Sequence, residues 1–195
     1  MDEALQQKIA FFKELDKMKG IYRQNWILDK SRREDDAAHS WHCAMMAMLL
    51  LPYAKENVSL DRVIQMLLCH DIVEIYAGDT PCYDVEVVKS QAEREEMAFQ
   101  KIMASLPIED KNRYASLWLE FSKMETADAR FATTIDRLQP LFLNYFTDGA
   151  SWAHRTVTKA QVLKRNAICK ETMPQIYEVV QEAVEELFQK GLLEE

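Results

Sequence analysis

The sequence predicts an all-α fold, organised as one domain over residues 1–195. Three observations carry this. Apolar residues recur at helical spacing through most of the chain. Breakers are scarce: 4 Gly and 5 Pro are fewer than a protein of strands and hairpins needs for its turns. Hydrophobic residues make up 48% and charged residues 29%, which is enough apolar material for one core in a chain of ordinary domain length.

The elements follow in order. "DEALQQKIAFFKELDKMKGI" has the helical period, with Ile9, Phe12 and Leu15 among its apolar positions and Gly20 as a stop. Residues 21–36 break the pattern and read as a short helix or loop carrying Arg23, Arg32 and Arg33. Residues 37–51 are apolar on nearly all sides after His42, so a central helix surrounded by others is expected. Ser59 is placed to cap the next helix, with Asp61 in its first turn, and that helix carries Val63, Ile64, Leu67 and Leu68. Gly78 and Pro81 end it. Ser90 and Glu93 have capping-box spacing ahead of "MAFQKIMASL", which Leu106 and Pro107 close. An amphipathic segment over 108–123 and a long apolar helix over 126–146 come next. Residues 150–170 are mixed, and a C-terminal helix spans about 173–190.

The net charge of −8, with no basic run, argues against nucleic-acid polymers and anionic membranes as partners. It leaves room for a small anionic substrate held by one or two arginines. Cys43, Cys69, Cys82 and Cys169 form no CxxC pair. Cys43 and Cys69 sit inside apolar runs and read as buried small hydrophobes. No apolar leader precedes the first helix, and the longest apolar run, "CAMMAMLLLP", is far short of the ~20 residues that span a bilayer. A cytoplasmic protein is expected.

The chemistry concentrates in "LLCHDIVEIYAGD", residues 67–79. His70, Asp71, Glu74 and Asp79 arrive there within ten residues. On a helix His70 and Glu74 share a face, whereas His70 and Asp71 point about 100° apart. Both can reach one ion only near a helix end or in a groove between helices. Imidazole with carboxylates suits Mn, Co, Ni, Fe or Zn rather than calcium. Further candidates lie in the other apolar helices: His39 at the start of one, and Asp136 between Ile135 and Leu138 in another. Pro140 has no N–H to give the Asp136 carbonyl and should kink that helix beside the acid. Taken alone, His39 reads as a hydrogen-bonded core histidine and Asp136 as a partner for Arg137 or another arginine. Together they favour a metal site, with His42 and His154 read as structural and, as an alternative, His42 standing behind His39 three residues away.

"HSW" at 39–41, "CHDIVEIYAGD" at 69–79 and "DRLQPLFLNY" at 136–145 resemble the HD-domain phosphohydrolases, and within them the branch containing the YfbR-like 5'-deoxynucleotidases. The resemblance covers about residues 20–170. It implies an HD-type helical bundle with one divalent ion on His39, His70, Asp71 and Asp136. It also implies Glu74 as the acid that orients or deprotonates the attacking water. Asp79 would lie near the sugar and leaving group, and Arg23 would hold the phosphate. A homodimer is implied as well, with Ile176, Val179, Val180, Val184 and Leu187 of the C-terminal helix as one candidate contact and packing on its own core as the favoured alternative. Two departures stand out: Ala38 precedes the first His where the family often has an acid, and Gln24 follows Arg23 where the branch can have Trp.

The resulting expectation is metal-assisted hydrolysis of a small phosphomonoester, foremost a nucleoside 5'-monophosphate, with Arg32 or Arg33 as an auxiliary phosphate contact. Two other readings keep the site. One is a two-iron oxygen-using centre, which needs more histidines than His42 and His154 supply. The other is a metal-binding regulatory protein without turnover.

Overall fold

The structure is a computed structural model, and it describes residues 2–79, 91–153 and 156–195. Helix α1 (Glu3–Asp16) starts at an Asp2 cap that accepts from the Leu5 N–H, and a 3₁₀ turn carries the chain on to Gly20. Residues 21–36 then depart from the expected short helix or loop. They form an antiparallel hairpin of β1 (Tyr22–Trp26) and β2 (Arg33–Asp35). Lys30 takes a positive φ of 57° in the connection, so no glycine marks the turn. The Arg33 guanidinium stacks 4.3 Å from the Trp26 ring centre and reinforces the pairing.

The remaining elements are helical: α2 (Asp36–Leu50), α3 (Leu60–Cys69), α4 (Glu74–Ala77), α5 (Gln91–Met103), α6 (Ile108–Lys123), α7 (Ala127–Phe146), α8 (Lys159–Arg165), α9 (Cys169–Thr172) and α10 (Pro174–Gln189). Ser59 does occupy the N-cap of α3, but its hydroxyl makes no cap bond; its N–H donates instead to Asp128 Oδ1. Pro140 is absorbed inside a continuous α7. The Pro140 carbonyl accepts from the side-chain amides of Asn25 and Asn144. Pro81, Cys82, Ser90 and His154 lie outside the described residues.

The larger core joins α2, α3, α7 and α10 through Cys43, Ala47, Met66, Leu67, Ile135, Leu138 and Leu187. A smaller one gathers Phe11, Ile72, Val73, Phe99, Ile102 and Trp118. The segment after α3 passes from one to the other. Helix α2 is less enclosed than its composition suggests. It buries His39, Ser40, Cys43, Ala44 and Ala47, while Trp41, Met45, Met48 and Leu49 face solvent. Its apolar outer face comes from composition without burial. Helix α10 packs Val180, Val184 and Leu187 into its own chain's core and leaves Val179 exposed. Cys43, Cys69 and Cys169 are buried free thiols. No helix among the described residues is long and apolar enough to cross a membrane.

Candidate metal centre

Three elements of the larger core aim their polar side chains at one point. Asp35 caps α2 by accepting from the Ala38 N–H at 2.9 Å, which starts the helix one turn ahead of His39. Helix α7 presents Asp136 from its middle. Helix α3 stops at Cys69, whose backbone (φ −120°, ψ −6°) leaves the helical region, and the chain tightens into a 3₁₀ turn over His70–Val73. His70 and Asp71 stand at this helix end, and both reach the same centre.

The convergence is close. His39 Nε2 lies 3.1 Å from Asp136 Oδ1 and 3.6 Å from Asp71 Oδ2. His70 Nε2 lies 3.1 Å from Asp71 Oδ2 and 3.4 Å from Asp136 Oδ1. Both rings are held from behind. His70 Nδ1 donates to the Leu67 carbonyl at 2.9 Å, and His39 Nδ1 faces Gln139 Oε1 at 3.0 Å. With its Nδ1 so committed, the buried His70 Nε2 has no aligned hydrogen-bond partner despite the two carboxylates beside it. His39 Nε2 is in hydrogen-bond geometry with Asp136 Oδ1 while His70 Nε2 is not, and the four atoms crowd about one focus. Two imidazole nitrogens and two carboxylate oxygens at such a focus fit a borderline divalent ion.

The charges tell the same story. Burial would raise Asp71, but His70 and Arg23 outweigh it and hold the carboxyl below its usual range. Burial opposes ionisation of Asp136 too, and its bonds to His39 and His70 overcome that. Burial and the nearby Arg23 keep His39 neutral. His70 is pushed up to about 10: burial works against its charge, and Asp71 and Asp136 win. Thus the two acids demand a cation, and a divalent ion meets the demand while leaving the His70 Nε2 lone pair to coordinate.

A second layer adjoins the first. Arg23 reaches in from β1; its Nη1 donates to Asp71 Oδ2 at 2.7 Å and to Asp36 Oδ1 at 3.2 Å. Asp36, Asp71 and Glu74 each bring an oxygen within 4.8 Å of the others. Burial, then the Asp71 charge, pushes Asp36 up to about 7 and Glu74 well above the carboxylate range. Glu74 opens α4 as a buried side chain, and its Oε2 has no partner. Asp79 follows Gly78, which turns the chain with φ 75°, and its charge is felt at both Arg23 and Glu74.

The structure therefore brings together His39, His70, Asp71 and Asp136, with Arg23, Glu74 and Asp79 beside them. It does not bring in Arg32 or Arg33. Arg32 binds Asp35 and the Arg33 carbonyl, and Arg33 bonds the Gln24 carbonyl and covers Trp26. His42 Nδ1 lies 3.0 Å from the Gln139 amide nitrogen. Asp136 pairs with the histidines, while Arg137 reaches to the Arg165 carbonyl. Three residues escaped the reading of the sequence. Asp36 could have been found, because it lies three residues before His39 on one helical face. Gln139 was visible as a lone polar residue in "LQPLFL". Glu34 carried no signal once the hairpin went unrecognised.

The HD domain family, by its sequence model, matches residues 15–177. A human protein named 5'-deoxynucleotidase HDDC2 is 25% identical over 132 residues, covering 67% of this chain and 63% of that protein. The chain's match thus spans slightly under two thirds of that relative's length. A 5'-deoxynucleotidase from Erwinia tasmaniensis is 31% identical over 136 residues, covering 64% of this chain and 68% of the other. Among solved structures, a "predicted metal-dependent phosphohydrolase" from Magnetospirillum magnetotacticum MS-1 superposes with a TM-score of 0.92 at 42% identity over 100% of both chains. With the matched segment holding every side chain of the centre, the chain belongs to the HD domain family.

Proposed function

We propose that this protein is a divalent-metal-dependent phosphohydrolase acting on a nucleoside 5'-monophosphate. The observation that carries the reading is the focus shared by His39, His70, Asp71 and Asp136, with an arginine and a buried acid directly beside it. The names of the relatives supply the substrate class.

His39, His70, Asp71 and Asp136 would hold the ion, which can be Mn, Co, Ni, Fe or Zn. When bound, it supplies the positive charge that polarises a phosphoryl oxygen, acidifies a water and lowers the proton affinity of Glu74. Arg23 offers its planar fork to phosphate oxygens, and its bonds to Asp71 and Asp36 fix its approach. Glu74 takes a proton from the attacking water as the water oxygen bonds to phosphorus. The bond from phosphorus to the 5' oxygen of the sugar breaks, and that oxygen takes up the proton Glu74 removed from the water, with Asp79 beside the leaving group. Nucleoside and phosphate leave.

The resemblance also proposes a homodimer. The exposed face of α2, rather than α10, is the surface that suits a second copy. Residues 37–54 hold no charged side chain, so this face can meet itself in a chain of net charge −8.

The test of function is phosphate release from a panel of nucleoside monophosphates and sugar phosphates. Protein stripped with chelator is resupplied with single metals, beside Asp71→Ala and Glu74→Gln. Metal-dependent release that both variants abolish supports the proposal. Stoichiometric metal binding without release from any substrate favours the regulatory reading instead.

A further inference from the structure

We infer that Gln139, steered by Glu34, is a positioning residue that fixes the ring nitrogen His39 presents to the metal focus; this rests on reading that focus as a metal site.

Gln139 is fully buried on α7, one turn from Asp136, and its amide faces three groups. Its Nε2 lies 2.7 Å from Glu34 Oε1 and 3.0 Å from His42 Nδ1; its Oε1 lies 3.0 Å from His39 Nδ1. An amide can be turned either way, so its neighbours decide its orientation. Glu34 Oε1 accepts from this amide whether its carboxyl is ionised or carries a proton on Oε2, the oxygen left without a partner. Glu34 therefore selects the orientation that brings the NH2 group to itself. His42 agrees with this choice by accepting the second amide hydrogen at Nδ1. The amide oxygen is then left facing His39, where it can only accept.

One consequence follows for His39. Gln139 Oε1 calls for the hydrogen on Nδ1, whereas the Asp136 carboxylate, in hydrogen-bond geometry 3.1 Å from Nε2, calls for one there; with an ion at the focus, the Gln139 acceptor leaves the Nε2 lone pair, also 3.6 Å from Asp71 Oδ2, for coordination. If the amide were reversed, His39 Nδ1 would accept, and the hydrogen would move to Nε2, where a metal ligand cannot have it. Two further polar contacts of the ring choose no other tautomer: Glu34 Oε2, 3.9 Å from Nδ1, adds an acceptor on the same side, and Cys43 Sγ, 3.7 Å from Nδ1 and 3.6 Å from Nε2, is distant and weak. Glu34 sits at the middle of β2 as its inward-facing, buried residue. The hairpin thus contributes to the centre from two strands: Arg23 on β1 from the front, and Glu34 on β2 through Gln139 from behind.

The test is metal affinity measured by competition with a chromophoric chelator, together with the visible spectrum of the Co(II)-loaded protein. Gln139→Met keeps the shape of the side chain and removes its polarity. It should bind metal about 10–100-fold more weakly than wild type, the usual cost of losing an outer hydrogen-bond partner, and shift the Co(II) bands. Glu34→Met should weaken binding in the wild-type background and add nothing in the Gln139→Met background. The exchanged pair Glu34→Gln with Gln139→Glu keeps both the 34–139 hydrogen bond and an acceptor facing His39, and should bind within a few-fold of wild type. Should Gln139→Met fail to fold, Glu34→Met and the exchanged pair carry the test. Wild-type affinity and unshifted bands in Gln139→Met, or additive losses in the double Met variant, would overturn the inference while leaving the metal site intact. A wild-type protein that takes up no metal would overturn the metal reading itself, and the inference with it.

Discussion

His39 and His70 present the same atom to the same point from regions built in different ways. His70 stands on a backbone turn, and its Nδ1 hydrogen goes to a main-chain carbonyl three residues back. His39 stands inside a regular helix whose own carbonyls are already used, so its Nδ1 turns to a side chain from another helix, 100 residues away in sequence. The first support comes with the local chain path and depends little on side-chain identity. The second exists only if the hairpin, α2 and α7 assemble correctly. The difference separates what local winding can do from what packing must do.

Breaking the shared part should have the largest effect. Asp136 contacts both histidines, so Asp136→Asn should lower metal affinity by more than the about 10–100-fold that loss of an outer partner costs; chelator competition measures it. Glu74→Gln leaves all four donors in place. It should cut turnover by about 10²–10⁴-fold with metal content unchanged, as read from phosphate release and metal analysis on the same sample. Leu67→Ala sharpens the contrast between the histidines. The fully buried side chain is lost but the carbonyl that holds His70 stays, so unfolding free energy should fall by about 2–5 kcal/mol in denaturant melts while the folded variant keeps its metal affinity. Arg33→Ala touches the outer face of the hairpin. A loss of about 0.5–1 kcal/mol in stability and no change in metal affinity are expected, because its stacking on Trp26 is remote from Glu34's inward contact.

The same contrast explains what could be read in advance. Helical periods and a scarcity of breakers gave the helical architecture, and the segments 108–123 and 126–146 match α6 and α7 closely. His70, Asp71, Glu74 and Asp79 were legible because they crowd into one short segment. His39 and Asp136 were legible because polar groups in apolar helices need partners. Three things were hidden. The hairpin turns at Lys30, a residue type that signals nothing about a positive φ. The switch from α to 3₁₀ winding at His70 leaves no mark in composition. Glu34 and Gln139 meet only through tertiary packing, 105 residues apart, so no spacing rule could join them. The outward face of α2 misled for a related reason: apolar composition reports affinity for burial, and only the fold decides what is buried.

The most direct measurement is a titration of chelator-stripped protein with Mn²⁺ and with Co²⁺, beside Asp136→Asn and Glu74→Gln. Wild type should take up one tight equivalent, Glu74→Gln the same equivalent, and Asp136→Asn should lose it. Tight binding that survives Asp136→Asn, or wild-type protein that binds no ion, would contradict this.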